Sequence, residues 1–191
     1  AQTNHRNIFC FGTRLQTPDG FIAVHVRQGA VHQYQIGRDI AGHLEARLYI
    51  ARCLAYLGEM GEARATADRV LEERPDDPRV LRVRGRIEHT ARHWDRATFF
   101  YERAIQVSRR TYPPLLVDLA RAKIRLGDWS EARDLLEQAI AKATFNSFAL
   151  EMHAQVLEHF GEFEEARQSM ERAVEQDPFN SSFRHRLGRI A

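Results

Sequence analysis

A chain of 191 residues, 43% hydrophobic and 28% charged, is long enough for one or two domains with a sizeable core. A formal net charge of +2 excludes any argument for a particular partner from the whole-molecule field. Cys10 and Cys53 supply neither a disulfide framework nor a CxxC spacing, and no apolar run approaches the roughly 18 residues of a bilayer span.

The basic residues are lopsided: only Lys123 and Lys142 are lysines, and the rest are arginines. Base composition of the genome explains this blandly, while a functional cause is that arginine forks suit carboxylate and phosphate. No basic-then-apolar leader is visible, and a first residue Ala1 instead of Met reads as a processed product or an excised fragment. The expected location is cytoplasmic, with the periplasm after signal removal as the alternative.

Residues 1–42 read as a short β-rich segment. Ile8–Leu15 is rich in strand formers and ends at the turn signal Thr17-Pro18-Asp19-Gly20. Phe21–Gln28 alternates with Ile22, Val24 and Val26 on one face, and Gly29-Ala30 separates it from Val31–Ile36 as a hairpin turn would. The expectation is a three-stranded meander that caps the first helical unit or is the tail of a larger β domain. His25, His32, Tyr34 and Cys10 would be neighbours there. Without four ligands at recognisable spacing, no metal is expected.

From residue 43 the text is periodic. Ala63, Ala97, Ala132 and Ala166 recur every 34 or 35 residues, each after a turn and the opening of a helix, as in Asp128-Trp129-Ser130-Glu131-Ala132. Trp94, Trp129 and Phe163 share one repeat position. Ala51, Gly85, Ala120 and Ala154 sit in the first helix of each unit, where a larger side chain would force the pair apart. Further small residues, Val70, Ala104, Ala139 and Ala173, lie along the second helices, and Pro75 and Pro178 stop the first and fourth units. This text resembles the tetratricopeptide repeat family, in a bacterial-type form. The resemblance implies a mostly α fold: an α-solenoid with units at 44–77, 78–112, 113–146 and 147–180 and a partial fifth at 181–191, preceded by the β meander.

Unit two departs most from the pattern. Arg84 and Glu88 occupy two apolar positions of its first helix, four residues apart and able to pair. Lys123 and His153 are similar polar intrusions. Either such charges pair or the packing is locally loose. The unit also lacks a closing proline and carries one extra residue before Pro113-Pro114, which predicts a small change of superhelix angle.

There is no GxSxG, no GxxxxGK[ST] and no HExxH, so no enzymatic activity and no cofactor are expected. In the family resembled, first helices line an inner groove. Its ligand-contacting positions fall here on Arg52, Tyr56, Arg79, Arg82, Arg86, His89, Arg121 and Arg125, followed by Phe148, Glu151, Gln155, Glu158 and His159. The groove would be basic at its middle and acidic towards its C-terminal end. The family's carboxylate-clamp members hold acidic chaperone tails with lysine and asparagine; here Leu48, Arg52, Arg86 and Arg121 stand at such positions, so that clamp is not reproduced.

The expected function is a protein–protein interaction scaffold that binds an acidic partner segment in this groove, arginines forming bidentate contacts to carboxylates. Against it, an arginine-rich chain places arginines on any solvated face. The alternatives are an accessory repeat domain of a larger bacterial enzyme such as a glycosyltransferase, and anionic-polymer binding. Nucleic acid is disfavoured because aromatic residues do not interleave with the arginines. An open C-terminal edge at Phe183, Leu187 and Ile190 invites homo-oligomerisation.

Overall fold

The computed structural model describes residues 15–17, 20–22, 44–108, 112–143 and 146–190. Strand β1 (Leu15–Thr17) pairs antiparallel with β2 (Gly20–Ile22), Thr17 opposite Gly20 and Leu15 opposite Ile22. The three-stranded meander is not supported: each of these strands has 3 residues, and Cys10, His25, His32, Tyr34 and the third strand lie outside the described residues.

Nine helices follow among the described residues. They are α1 (Leu44–Tyr56), α2 (Met60–Glu73), α3 (Pro78–Thr90), α4 (Trp94–Val107), α5 (Pro113–Leu126), α6 (Trp129–Lys142), α7 (Ser147–Phe160), α8 (Phe163–Gln176) and α9 (Ser181–Ile190). Turns of only two or three residues join the members of each of the first four pairs, which folds each pair back on itself. Gly127 and Gly161 end α5 and α7 in the left-handed region at φ 89° and 79°, and Gly58 repeats this at 88°. Unit two puts Arg92 at the corresponding place, with φ 62°. Helix starts are equally local in origin. Pro78 and Pro113 stand in first turns, where a missing N–H costs nothing, and Asp77 accepts from the Arg79 amide at 3.0 Å.

The alanines at the repeated positions, Ala51, Ala63, Ala97, Ala120, Ala132, Ala154 and Ala166, are fully buried. The core they admit is segmented. One cluster joins α1, α2 and α3 around Leu48, Leu54, Val70 and Ile87, and the next joins α3, α4 and α5 around Leu81, Tyr101 and Leu119. The third joins α5, α6 and α7 around Leu116, Leu136 and Val156. Each unit therefore buries its apolar face against its neighbour, as a solenoid requires. Buried Cys53 behaves as one more small apolar side chain of α1.

At the C-terminal end α9 spends its apolar stripe on α7 and α8. Phe183 is only 2% exposed, packed with Leu150, Ala154, Leu157 and Met170, and Leu187 and Ile190 are half-buried against the same cluster. The expected exposed edge is thus corrected at Phe183: α9 has enough apolar residues at helical spacing to cover the last full pair.

The polar intrusions are paired. Glu88 is fully buried and bonded to Arg84 one turn away, as anticipated, but three further groups join them. Arg64 donates to Glu88 through Nε at 3.0 Å, His93 Nδ1 lies 2.7 Å from Glu88 Oε2, and Asp68 accepts from Arg84 at 2.5 Å. Burial alone would raise the Glu88 pKa, but the bonds from Arg64, Arg84 and His93 outweigh it and hold the carboxyl at about 2. Lys123 sits between Glu131 at 2.9 Å and Glu102 at 3.2 Å, and His153 meets Ser169 at 3.1 Å.

Candidate partner-binding groove

The first helices of successive pairs lie side by side, α1 on α3, α3 on α5 and α5 on α7. This layer brings four of the expected residues together. Tyr56 from α1, Arg86 and His89 from α3 and Arg121 from α5 surround a cavity of about 150 Å³, completed by Thr90, Tyr101 and Asp118.

Tyr101 belongs to α4, behind the layer, and reaches the cavity because position 85 has no side chain. A Cβ on Gly85 would stand 2.6 Å from Tyr101 Cε1 and 2.7 Å from Cδ1. The other units carry alanine at this crossing, so the glycine is what lets the tyrosine through. Burial above all, with the Asp118 charge second, pushes the Tyr101 pKa up, so its hydroxyl remains protonated.

Two of the expected groove arginines are held by carboxylates. Arg82 Nε donates to the buried Asp118 at 2.6 Å, with its guanidinium 5.3 Å from the Tyr112 ring centroid. Arg79 donates to Asp77 at 2.7 Å and to Glu45 at 2.7 Å. Asp118 thus places a carboxylate in the middle of the groove expected to be basic. Arg86 reaches only the Tyr56 hydroxyl, at 3.2 Å, and Arg121 has no ion pair or hydrogen bond among the described residues. Arg125 lies outside the cavity with its guanidinium 5.8 Å from the Trp94 centroid. Arg52 is half-buried on α1, its Nε removed from water without a hydrogen-bond partner among the described residues.

His89 sits edge-on to Trp94 at 4.8 Å, with Nε2 buried and unbonded among the described residues. Burial first, then the Arg121 charge, depresses its pKa to about 4 against an opposing pull from Asp118, so the ring is neutral at pH 7.

The expected acidic C-terminal end is partly offset, one arginine standing against two carboxylates. Arg186 of α9 reaches Glu151 and Glu158, each at 3.0 Å. His159 stacks on Trp129 at 3.9 Å, Gln155 is half-buried on α7, and Phe148 is 56% exposed at the edge of Phe183. Asp118, Tyr101, Thr90 and Arg186 are the groove residues that reading the sequence missed. A signal existed for two of them. The ion pairs Glu45–Arg79, Arg82–Asp118 and Glu151–Arg186 join residues 34, 36 and 35 apart, so opposite charges one period apart on first helices find each other.

Among the described residues no group of three or more histidine, cysteine, aspartate or glutamate side chains could hold a metal ion, and no helix is long and apolar enough to cross a membrane.

Two family profiles, each described as tetratricopeptide repeat, match residues 35–87 and 117–181. Comparison with curated proteins gives no match. Among solved structures the chain is similar to TTC0263, a thermophilic tetratricopeptide protein of Thermus thermophilus, at 21% identity and TM-score 0.68, with 78% of this chain and 82% of that one covered. It is similar to YrrB, a tetratricopeptide protein with an unusual peptide-binding site, at 19% identity and TM-score 0.61, covering 76% and 74%. It is also similar to the first tetratricopeptide domain of Spaghetti (RPAP3) bound to the HSP90 peptide SRMEEVD, at 23% identity and TM-score 0.57, covering 60% and 90%. At these identities the likeness is one of fold. The two profile matches, the 34–35-residue recurrence and the paired helices together establish that the chain belongs to the tetratricopeptide repeat family.

Proposed function

We propose that the chain is a non-catalytic protein–protein interaction scaffold whose first-helix layer takes up an acidic segment of a partner. The observation that carries this reading is that Arg86 and Arg121 share one cavity and neither has a carboxylate partner among the described residues, while Arg79, Arg82 and Arg84 beside them are all paired. A guanidinium presents five donors in a planar fork, and a partner's carboxylate is the kind of group that uses them bidentately. A preformed helical layer takes up such a segment with little ordering of its own.

The acidic peptide SRMEEVD held by the Spaghetti (RPAP3) domain supports the partner class for a fold of this kind. The contacts here would differ, because Leu48, at one of the clamp positions of the family, is buried in the core. Immobilised acidic heptapeptides and their amide counterparts (Gln and Asn for Glu and Asp) test the reading. The wild type is expected to retain the acidic set, less so as salt rises from 0.1 to 1 M and the screening length falls from about 10 to about 3 Å. The double variant Arg86→Glu/Arg121→Glu is expected to lose it. Undiminished retention by that variant overturns the proposal.

A further inference from the structure

We propose that the cavity between Tyr56, Arg86, His89 and Arg121 is a dianion site that receives a phosphorylated serine or threonine side chain of the partner segment. The inference rests on the groove reading above and goes further, to the chemical group.

Charge balance is the first argument. The Arg82–Asp118 pair cancels, leaving Arg86 and Arg121 as two positive charges facing the cavity beside a neutral His89. A single carboxylate offsets one of them; a phosphomonoester near pH 7 carries about −1.5 to −2 and offsets both. Donor geometry is the second. Two arginines from adjacent helices, the Tyr56 hydroxyl that already accepts from Arg86, and Tyr101 of α4 line one space. A flat carboxylate with two oxygens uses only part of this set, whereas a tetrahedral group with three terminal oxygens engages more of it. Size is the third. An engineered cavity of about 150 Å³ holds a benzene molecule, so a cavity of about 150 Å³ admits a phosphate on a short stem.

The test uses the full chain and three blocked tripeptides, Gly-X-Gly with X as phosphoserine, glutamate or serine, titrated by calorimetry at pH 7.5, with inorganic phosphate as a fourth probe. Phosphoserine is expected to bind on the order of tenfold more tightly than glutamate, and inorganic phosphate to compete with it. Arg86→Gln and Arg121→Gln are each expected to weaken phosphoserine on the order of tenfold and to bring it level with glutamate. Arg86→Lys, which keeps the charge and loses the fork, is expected to fall between, and unchanged circular dichroism separates lost binding from lost folding. Equal affinity for glutamate and phosphoserine sinks the phosphate inference while leaving the acidic-groove reading intact. Absence of binding by all four probes sinks the inference, and retention of the acidic heptapeptides then decides the groove reading separately. Phosphoserine binding that survives both glutamine variants also overturns it, because the site would lie elsewhere.

Discussion

Replacing Glu88 by Gln is the sharpest probe of how unit two is held together. Its carboxylate is fully buried and bonded by Arg64, Arg84 and His93, drawing α2, α3 and the start of α4 onto one group. A folded pKa of about 2 against an ordinary 4.5 corresponds, at about 1.4 kcal/mol per unit, to roughly 3 kcal/mol of stabilisation. Because the folded value is the lower, this contribution is fully present above pH 4.5 and is lost as pH falls towards 2. Glutamine keeps the shape and removes the charge, leaving Arg64 without its carboxylate and Arg84 with Asp68 alone. The expected loss at pH 7 is about 3 kcal/mol, or a Tm lowered by about 6–12 °C for a chain of this size. Thermal melts of wild type and variant at pH 7 and pH 3 should show the gap narrowing on acidification. Hydrogen exchange should place the loosening in α2–α4, since neighbouring units in a solenoid are coupled only through their interfaces. A variant melting within about 2 °C of wild type at pH 7, or a gap that widens at pH 3, refutes the reasoning.

Gly85→Ala places a methyl within 2.6 Å of the Tyr101 ring. Overpacking of about 1–3 kcal/mol, less about 1 regained from helix propensity, lowers Tm by a few degrees and displaces Tyr101 from the cavity; a raised Tm would contradict the crossing geometry. Arg92→Gly removes a left-handed non-glycine residue at φ 62°, at the position where the other three units carry glycine. A gain of about 0.5–1 kcal/mol is expected in chemical denaturation, after the extra unfolded-state freedom of glycine is subtracted, and a destabilised variant would show that Arg92 makes contacts that offset its backbone strain.

The regular part of the molecule was legible because a solenoid writes its fold locally. Ala63, Ala97, Ala132 and Ala166 mark the same crossing four times, and glycine or proline punctuates the turns, so helix existence and order followed from spacing alone. The groove was legible only in part. Tyr56, Arg86, His89 and Arg121 do meet, but Arg79 and Arg82 are drawn away by Glu45 and Asp118. One-dimensional periodicity says which residues face the same side. It does not say which of several nearby charges wins a given arginine, because that choice depends on the stagger between helices more than thirty residues apart in sequence.

By itself, then, the sequence determined the repeat, the helix pairs, the small residues at their crossings and the Arg84–Glu88 pair one turn apart. Tertiary structure alone decided that Arg64, Asp68 and His93 complete that pair, that Phe183 is buried, and that Tyr101 passes Gly85 to meet Asp118 at the cavity. The physical reason is range. Helix periodicity and turn chemistry act over a few residues and repeat, whereas buried charge is settled by desolvation and by whichever opposite charge the neighbouring helix brings within hydrogen-bonding distance.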